Sequence, residues 1–470
     1  MVDREHGVDV LLLPYPSQGH INPMLQFAKR LSAHGARCTL AATRFILAST
    51  PPEPGPVRVV PISDGCDRAG FAEVDSVPAY LDRLESACSA SLAGLLRSES
   101  AAGRPVRVLV YDAFLPWARP VAQGLGAAAA AFFTQACAVD AVYAHVWEGR
   151  VGIPVPVQQG PVRLPGLPPL EPEDLPSFML GPGDYPAYLE LVMNQFQGLR
   201  DADDVFINSF YELEPQEAEY MESTWGAKTI GPTVPSAYVD NRVPDDTSYG
   251  FSLYSLAAAT ASRCGLFLAS HPPHSVVYVS FGSMASLSPI QLFELAHGLL
   301  RCGKPFLWVV RASERPKLPA ELLAEEEGAK KQLYTIVEWA PQLEVLAQEA
   351  VGCFVTHCGW NSTVEAIALG KPMVGMPQWT DQPTNAKYVE GVWGVGVRAR
   401  AGAEDGVVGR EEVERCVRQV MEGESGEGYR RRAAEWRRKA CEAVTDGGSS
   451  DRNIAEFVTK YAAVDGGGAK

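Results

Sequence analysis

Two runs of alternating apolar strand and amphipathic helix, separated by a stretch that fits neither, constrain this 470-residue chain more than any other feature. In the first run "VDVLLLPYP" reads as a strand, "NPMLQFAKRLSAHG" as a helix stopped by Gly35, and "RCTLAATRF" as the next strand. "VRVLVYD", "FLPWARPVAQGLG" and "AAAAFFT" repeat the pattern. Residues 232–262 break it with prolines, aspartates and serines, which places a boundary near residue 240. The rhythm restarts with "SVVYVSFG", "SPIQLFELAHGLLRCG" and "PFLWVVR", then "TIVEWAP", "GCFVTHCG" and "KPMVGMPQ". Such βαβ units build parallel sheets covered on both faces. The expected fold is α/β, two doubly wound Rossmann-like domains facing across a cleft. The expected boundaries are 1–240, 241–450 and a C-terminal helix at 451–470 that packs back on the first domain. Ligands of such sheets bind beyond the carboxyl ends of the strands, so the motifs there matter most.

Composition narrows the partners. A formal charge of −15 argues against nucleic acid and anionic membranes. Any phosphate must then be held by local geometry rather than by a basic field. "MVDREHGVDVLLLPYP" is neither a secretory signal nor a membrane span. The ten cysteines form no C-x-x-C pair and read as reduced, mostly buried thiols. A cytoplasmic monomer with no nucleic-acid partner and no membrane anchor is expected.

One junction concentrates hydrogen-bonding chemistry. In "HCGWNSTVE" (357–365) a strand ends, Gly359 turns the chain, and a helix begins at Asn361. A helix N-terminus offers unpaired N–H groups and partial positive charge, which together favour phosphate. Asn361, Ser362 and His357 add side-chain donors. Ser362-Thr363-Val364-Glu365 also fits a capping box, with Ser362 capping the helix and Glu365 bonding back. That reading needs neither His357 nor Trp360.

The surrounding 44 positions, Trp339 to Gln382, resemble the donor-binding signature of plant UDP-dependent glycosyltransferases. Trp339, Gln342, His357, Gly359, Trp360, Asn361, Ser362, Glu365, Asp381 and Gln382 occupy its defining positions, and the resemblance extends along nearly the whole chain. It is closest to enzymes that glucosylate small acids, hormones and, in grasses, trichothecene toxins. It implies the GT-B fold, with acceptor site and base in the N-terminal domain and donor site in the C-terminal one. It implies roles in secondary metabolism and detoxification. By position Trp339 would stack on uracil, with Ala340 backbone and Gln342 completing base and ribose recognition. Glu365 would accept from the ribose hydroxyls. His357, Asn361, Ser362 and Ser283 would hold the diphosphate; Trp360, Asp381 and Gln382 would hold the sugar. A glutamine at the last position goes with glucose in this family. UDP-glucose is thus the implied co-substrate, with no metal and no cofactor.

His20, between a strand and a helix expected to begin at Pro23, and Asp112, at the end of "VRVLVYD", suggest a base and its orienting carboxylate. The resemblance assigns them those roles. The implied reaction is inverting transfer of glucose to a hydroxyl. Alternatives are glucose-ester formation on a carboxylic acid, which would depend less on His20, and a catalytically silent nucleotide-sugar binder. Acceptor-site candidates by family position and aromatic character are Tyr15, Phe114, Phe133, Gln135, Tyr143, Phe178, Phe196 and Trp379.

Weaker signals carry less. "DAD" at 201–203 reads as a solvated turn and "GVWGVGV" lacks the context of a nicotinamide site. Cys353, His357 and Cys358 fail as a metal set because adjacent strand residues point to opposite faces.

Overall fold

The computed structural model describes residues 7–462 apart from 157–159, 182, 184, 253–257, 326–332 and 404. Over the described residues, one compact unit comprises Met1–Pro172, Phe178–Leu253 and Ala440–Lys470, and the other Glu173–Ser177 and Tyr254–Lys439.

The first unit holds seven parallel strands: β1 (Asp9–Leu13), β2 (Arg37–Thr43), β3 (Arg58–Ile62), β4 (Val108–Asp112), β5 (Ala128–Phe133), β6 (Asp204–Ile207) and β7 (Ala227–Thr229). Their order is β3-β2-β1-β4-β5-β6-β7. The second unit holds six more, also parallel: β8 (Val276–Ser280), β9 (Phe306–Val309), β10 (Tyr334–Val337), β11 (Val351–Thr356), β12 (Met373–Gly375) and β13 (Gly396–Arg398). Their order is β10-β9-β8-β11-β12-β13. Central strands buried on both faces read as continuous apolar runs, which is why "VLVYD" and "VGCFVT" were legible as strands. Each sheet has one point where the strand order reverses, between β1 and β4 and between β8 and β11. Loops leaving such a point diverge and open a crevice.

The boundary expected near residue 240 lies later. The helix Gln18–Ala33 buries Ile21, Met24, Leu25, Phe27, Ala28 and Leu31 as its pattern requires, but Gln26, Lys29 and Arg30 are buried too. Residues 240–248 cover that second face: Lys29 Nζ donates to Asp246 at 2.5 Å, Arg30 to Asp240 at 3.0 Å, and Gln26 to the Ser248 carbonyl at 3.2 Å. A Pro, Asp and Ser-rich composition reported the lack of regular structure there, not a lack of packing.

The chain returns to the first unit at Ala440 rather than at residue 451. Helix Ser449–Ala462 seats Ile454, Phe457 and Tyr461 in the first core, with Phe457 edge-on to Phe206 at 5.0 Å. Asp451 accepts from His34 at 2.9 Å and from Arg242. Phe267, Leu268 and Ala269 close helix Ala258–Ala269, with Phe267 and Leu268 buried.

All ten cysteines are free thiols and nine are buried. Among the described residues no helix is long and apolar enough to cross a membrane.

Candidate active site

In the first unit, β1 and β4 run side by side with Leu13 opposite Tyr111. The chain leaves β1 through Tyr15 and enters a helix that starts at Gln18, not at Pro23, so His20 lies inside its first turn. Pro23 falls in the second turn, past the first four N–H groups of the helix, so it removes the one i→i−4 bond that would run to the Gly19 carbonyl. Asp112, the last residue of β4, is 1% exposed. Its Oδ1 accepts the Phe114 N–H at 3.0 Å, and its Oδ2 accepts the Tyr15 N–H at 3.2 Å and His20 Nδ1 at 2.7 Å. An ionised carboxylate only accepts, so the shared proton belongs to Nδ1 and the neutral ring keeps Nε2 as an acceptor. Thr134 Oγ1 stands 3.4 Å from Nδ1. No sequence signal had marked Thr134, which lies one residue past the end of β5.

Acceptor candidates divide by exposure. Tyr15 and Phe114 flank the His20 ring at 5.3 and 4.9 Å between centroids. Phe133, Tyr143, Phe178 and Phe196 are at most 2% exposed, and Phe196 packs on both Phe133 and Trp225 as part of the core. Gln135 differs: its Oε1 is buried without a hydrogen-bond partner among the described residues. Such an acceptor atom calls for a donor that the chain does not supply. Phe114 also lines a cavity of about 390 Å³ whose walls include buried Leu84, Leu115 and Leu191, exposed Asp82, Glu85 and Glu190, and Arg119. None of those seven stood out in the sequence. Trp379 belongs to the second unit.

In the second unit, β8 and β11 pair with Ser280 opposite Thr356, so the loop carrying Ser283 and the turn carrying His357 leave the sheet as neighbours. His357 and Cys358 lie beyond the end of β11, and the turn rather than strand alternation separates them. Cys358 adopts φ 61°, uncommon for a residue with a Cβ. Its carbonyl accepts from Asn385 at 2.9 Å. The imidazole of His357 lies against two glycines: a Cβ on Gly282 or Gly359 would come within 2.9 or 2.6 Å of the ring. Burial pushes its pKa down to about 4, so the ring is neutral near pH 7.

The helix begins at Trp360 with Gly359 as N-cap, and Ser362 sits inside its first turn. The expected capping box is therefore absent. Glu365 accepts instead from Gln342 Nε2 at 2.7 Å, and the same amide nitrogen donates to Ser362 Oγ at 3.0 Å. Gln342 Oε1 accepts from Tyr278 at 3.3 Å. Gln342 thus orients Glu365 and Ser362. Trp339 is partly exposed two residues past β10, and Ala340 is buried.

Asp381 is buried, which raises its pKa against the pull of Thr380 and Asn385. Those two donate to it at 2.5 and 2.7 Å. Asn385 was missed in the sequence, although it stands four residues after Asp381, the spacing that brings side chains together on a helix. Gln382 Oε1 accepts the N–H groups of Gln378 and Trp379 at 2.8 and 3.1 Å, so its amide nitrogen is the group left to donate. The Trp360 indole is buried, with its ring centroid 6.1 Å from that of Trp393. Among the described residues no three His, Cys, Asp or Glu side chains converge as a metal-ligand set.

Comparison with known proteins agrees along the chain. The family model "UDP-glucoronosyl and UDP-glucosyl transferase" matches residues 258–431. UDP-glucosyltransferase UGT13248 of Hordeum vulgare is 51% identical over 463 residues, covering 97% of this chain and 94% of its own length. Indole-3-acetate beta-glucosyltransferase of Zea mays is 46% identical, with 96% and 97% covered. The crystal structure of Os79 from Oryza sativa with UDP superposes at a TM-score of 0.89, with 50% identity over 96% of this chain and 100% of that one. A second Os79 structure, with U2F and trichothecene, superposes at 0.86 with 49% identity over the same shares. This chain belongs to the plant UDP-dependent glycosyltransferases of family 1, has their GT-B fold of two Rossmann-like domains, and is a UDP-glucosyltransferase.

Proposed function

We propose that the enzyme transfers glucose from UDP-glucose to a hydroxyl of a small hydrophobic acceptor, with inversion and without a metal ion. The observation that carries this reading is the 2.7 Å contact between His20 Nδ1 and Asp112, which leaves Nε2 free to take a proton. The acceptor O–H gives its proton to Nε2 while the oxygen attacks the anomeric carbon. The bond from that carbon to the phosphate oxygen breaks, UDP leaves from the opposite face, and an α-linked donor yields a β-glucoside. Charge growing on the diphosphate is met by the helix N-terminus at Trp360 and by Asn361, Ser362, Ser283 and neutral His357. Glu365 takes the ribose hydroxyls, Trp339 the uracil, and Asp381 with the Gln382 amide nitrogen the glucose.

Acceptors sit against Tyr15 and Phe114 beside His20, and the buried Oε1 of Gln135, next in the chain to Thr134, takes a hydroxyl donor. The cavity that Phe114 also lines receives their distal part. Its lining sets three carboxylates against one guanidinium, Arg119, and that net negative balance favours neutral acceptors, such as a trichothecene alcohol, over carboxylic acids. Glucose-ester formation is the second reading, supported by the maize relative.

A panel of phenolic, terpenoid, trichothecene and carboxylic acceptors with UDP-glucose tests both, read by mass spectrometry and by the anomeric coupling of the product. A β-glucoside formed on an alcohol and lost in His20→Ala is expected. An α-linked product, faster transfer from UDP-galactose or UDP-xylose, or ester formation indifferent to His20→Ala would overturn the reading.

A further inference from the structure

We propose that Arg311 is a positioning residue for the donor diphosphate, acting through the backbone of the loop that carries Ser283. The inference rests on the donor-site reading above and goes beyond it, because Arg311 lies outside the recognised signature.

The geometry is specific. Strands β8 and β9 are neighbours, with Val279 opposite Trp308, so the segments leaving them run together. Arg311, two residues past β9, donates Nη1 to the Ser283 carbonyl at 2.6 Å and Nη2 to the Ala285 carbonyl. Its side chain is 23% exposed. The next residues complete the grip: Glu314 accepts the Leu287 N–H at 3.2 Å and the Ser286 hydroxyl at 3.1 Å, and Lys317 donates to Ser286 Oγ at 2.8 Å.

Consider what a guanidinium on those two carbonyls does. A trans peptide is planar, and its C=O and N–H point in opposite directions. Drawing the carbonyls of residues 283 and 285 toward Arg311 therefore turns the N–H groups of Met284 and Ser286 away from it. Backbone N–H groups presented on one side of a turn attract an anion, as in the concavities that bind phosphate. A cation on the carbonyl also polarises the peptide and strengthens its N–H as a donor. The same loop enters through Gly282, at φ 70°, whose Cα lies against the His357 ring. Arg311, its charge shared with Glu314 at 3.9 Å, thus acts on the diphosphate side through the peptide dipoles of the loop rather than by standing in the site itself. A lysine cannot replace it fully, because only the planar fork spans two carbonyls at once.

The test compares UDP with uridine, which shares the base and ribose but lacks the phosphates. Calorimetry for UDP and NMR titration for uridine are run on the wild-type chain, Arg311→Ala and Arg311→Lys, with melting temperatures as the check on folding. We expect Arg311→Ala to bind UDP at least about tenfold more weakly, given what hydrogen bonds to a charged group contribute, with uridine affinity unchanged. Arg311→Lys falls between. In turnover the KM for UDP-glucose rises while the acceptor KM at saturating donor stays constant. Unchanged UDP affinity in a folded Arg311→Ala, or an equal loss for uridine, overturns the proposal. If the alanine variant does not fold, Arg311→Lys decides: wild-type UDP affinity there overturns it. Failure of the wild-type chain to bind UDP at all would instead strike the donor-site reading.

Discussion

His20 Nδ1 lies 2.7 Å from Asp112 Oδ2, and the two residues come from different strand ends brought together where the order of the first sheet reverses. The carboxylate is itself held by the N–H groups of Tyr15 and Phe114, so the imidazole inherits a fixed tautomer from a fixed anchor.

Replacing that anchor should change the tautomer without emptying the site. In Asp112→Asn the amide can donate to Nδ1, which drives the ring proton to Nε2 and removes the base. We expect kcat to fall by roughly 10²–10⁴, the usual worth of general-base help, with UDP affinity unchanged by calorimetry. A fall of less than about threefold on an alcohol acceptor would remove His20 from the proton transfer.

Gln342 offers a cleaner test of ribose recognition than Glu365 does. Removing its amide in Gln342→Ala takes from the buried Glu365 carboxylate the donor that holds it at 2.7 Å. UDP affinity should drop by about tenfold, the worth of one hydrogen bond to a charged group. The preference for UDP over 2′-deoxy-UDP should shrink with it. Equal loss for both nucleotides would mean that Gln342 does not act through the ribose carboxylate.

His357 links the donor site to pH. Burial holds its folded pKa at about 4, below the 6.5 of an ordinary histidine. Between those values the unfolded chain binds a proton that the folded chain refuses, so stability falls as pH drops from 6.5 toward 4. The full shift corresponds to about 3 kcal/mol, less what the partly exposed ring edge screens. A His357→Gln variant should show a shallower loss of melting temperature over that window. At pH 5 the bound diphosphate favours the protonated ring, so the wild-type chain should take up more protons on binding UDP than the variant does. Buffer-dependent enthalpies measure this difference, and identical proton counts would place His357 away from the phosphates.

Gly359→Ala probes the same ring sterically. Its φ of −60° suits alanine, so any effect comes from the Cβ placed 2.6 Å from Nε2 of His357. The ring must move, and UDP binding should weaken while uridine binding persists. A crystal structure of the variant with His357 unmoved would contradict this account.

The buried pair Lys29–Asp246, with side chains 4% and 2% exposed, ties residues 240–248 to the helix that carries His20. Asp246→Ala leaves the ammonium unpaired inside the protein, and a loss of about 3–5 kcal/mol is expected in denaturant unfolding. The double variant Lys29→Met/Asp246→Ala should recover much of that loss, because it removes both charges.

The strands, their parallel pairing and the glycine-bounded turns followed from the sequence, because they depend on apolar periodicity and on residues adjacent in the chain. The donor signature followed too, since its members lie within 44 positions. Helix starts were less legible. Ser362 offers the chemistry of an N-cap, yet Gly359 takes the position because the turn through Cys358, bonded to Asn385, starts the helix three residues earlier.

What tertiary structure alone decided are relationships across sequence distance. Residues 240–248 belong with the first unit because their carboxylates meet Lys29 and Arg30. Gln342 reaches back to Glu365 and Ser362, and Arg311 reaches the Ser283 loop through neighbouring strand ends. Local pattern reports what each residue type prefers along the chain. Which carboxylate a guanidinium or an amide finds is fixed by strand order, and strand order is set by the packing of the whole sheet.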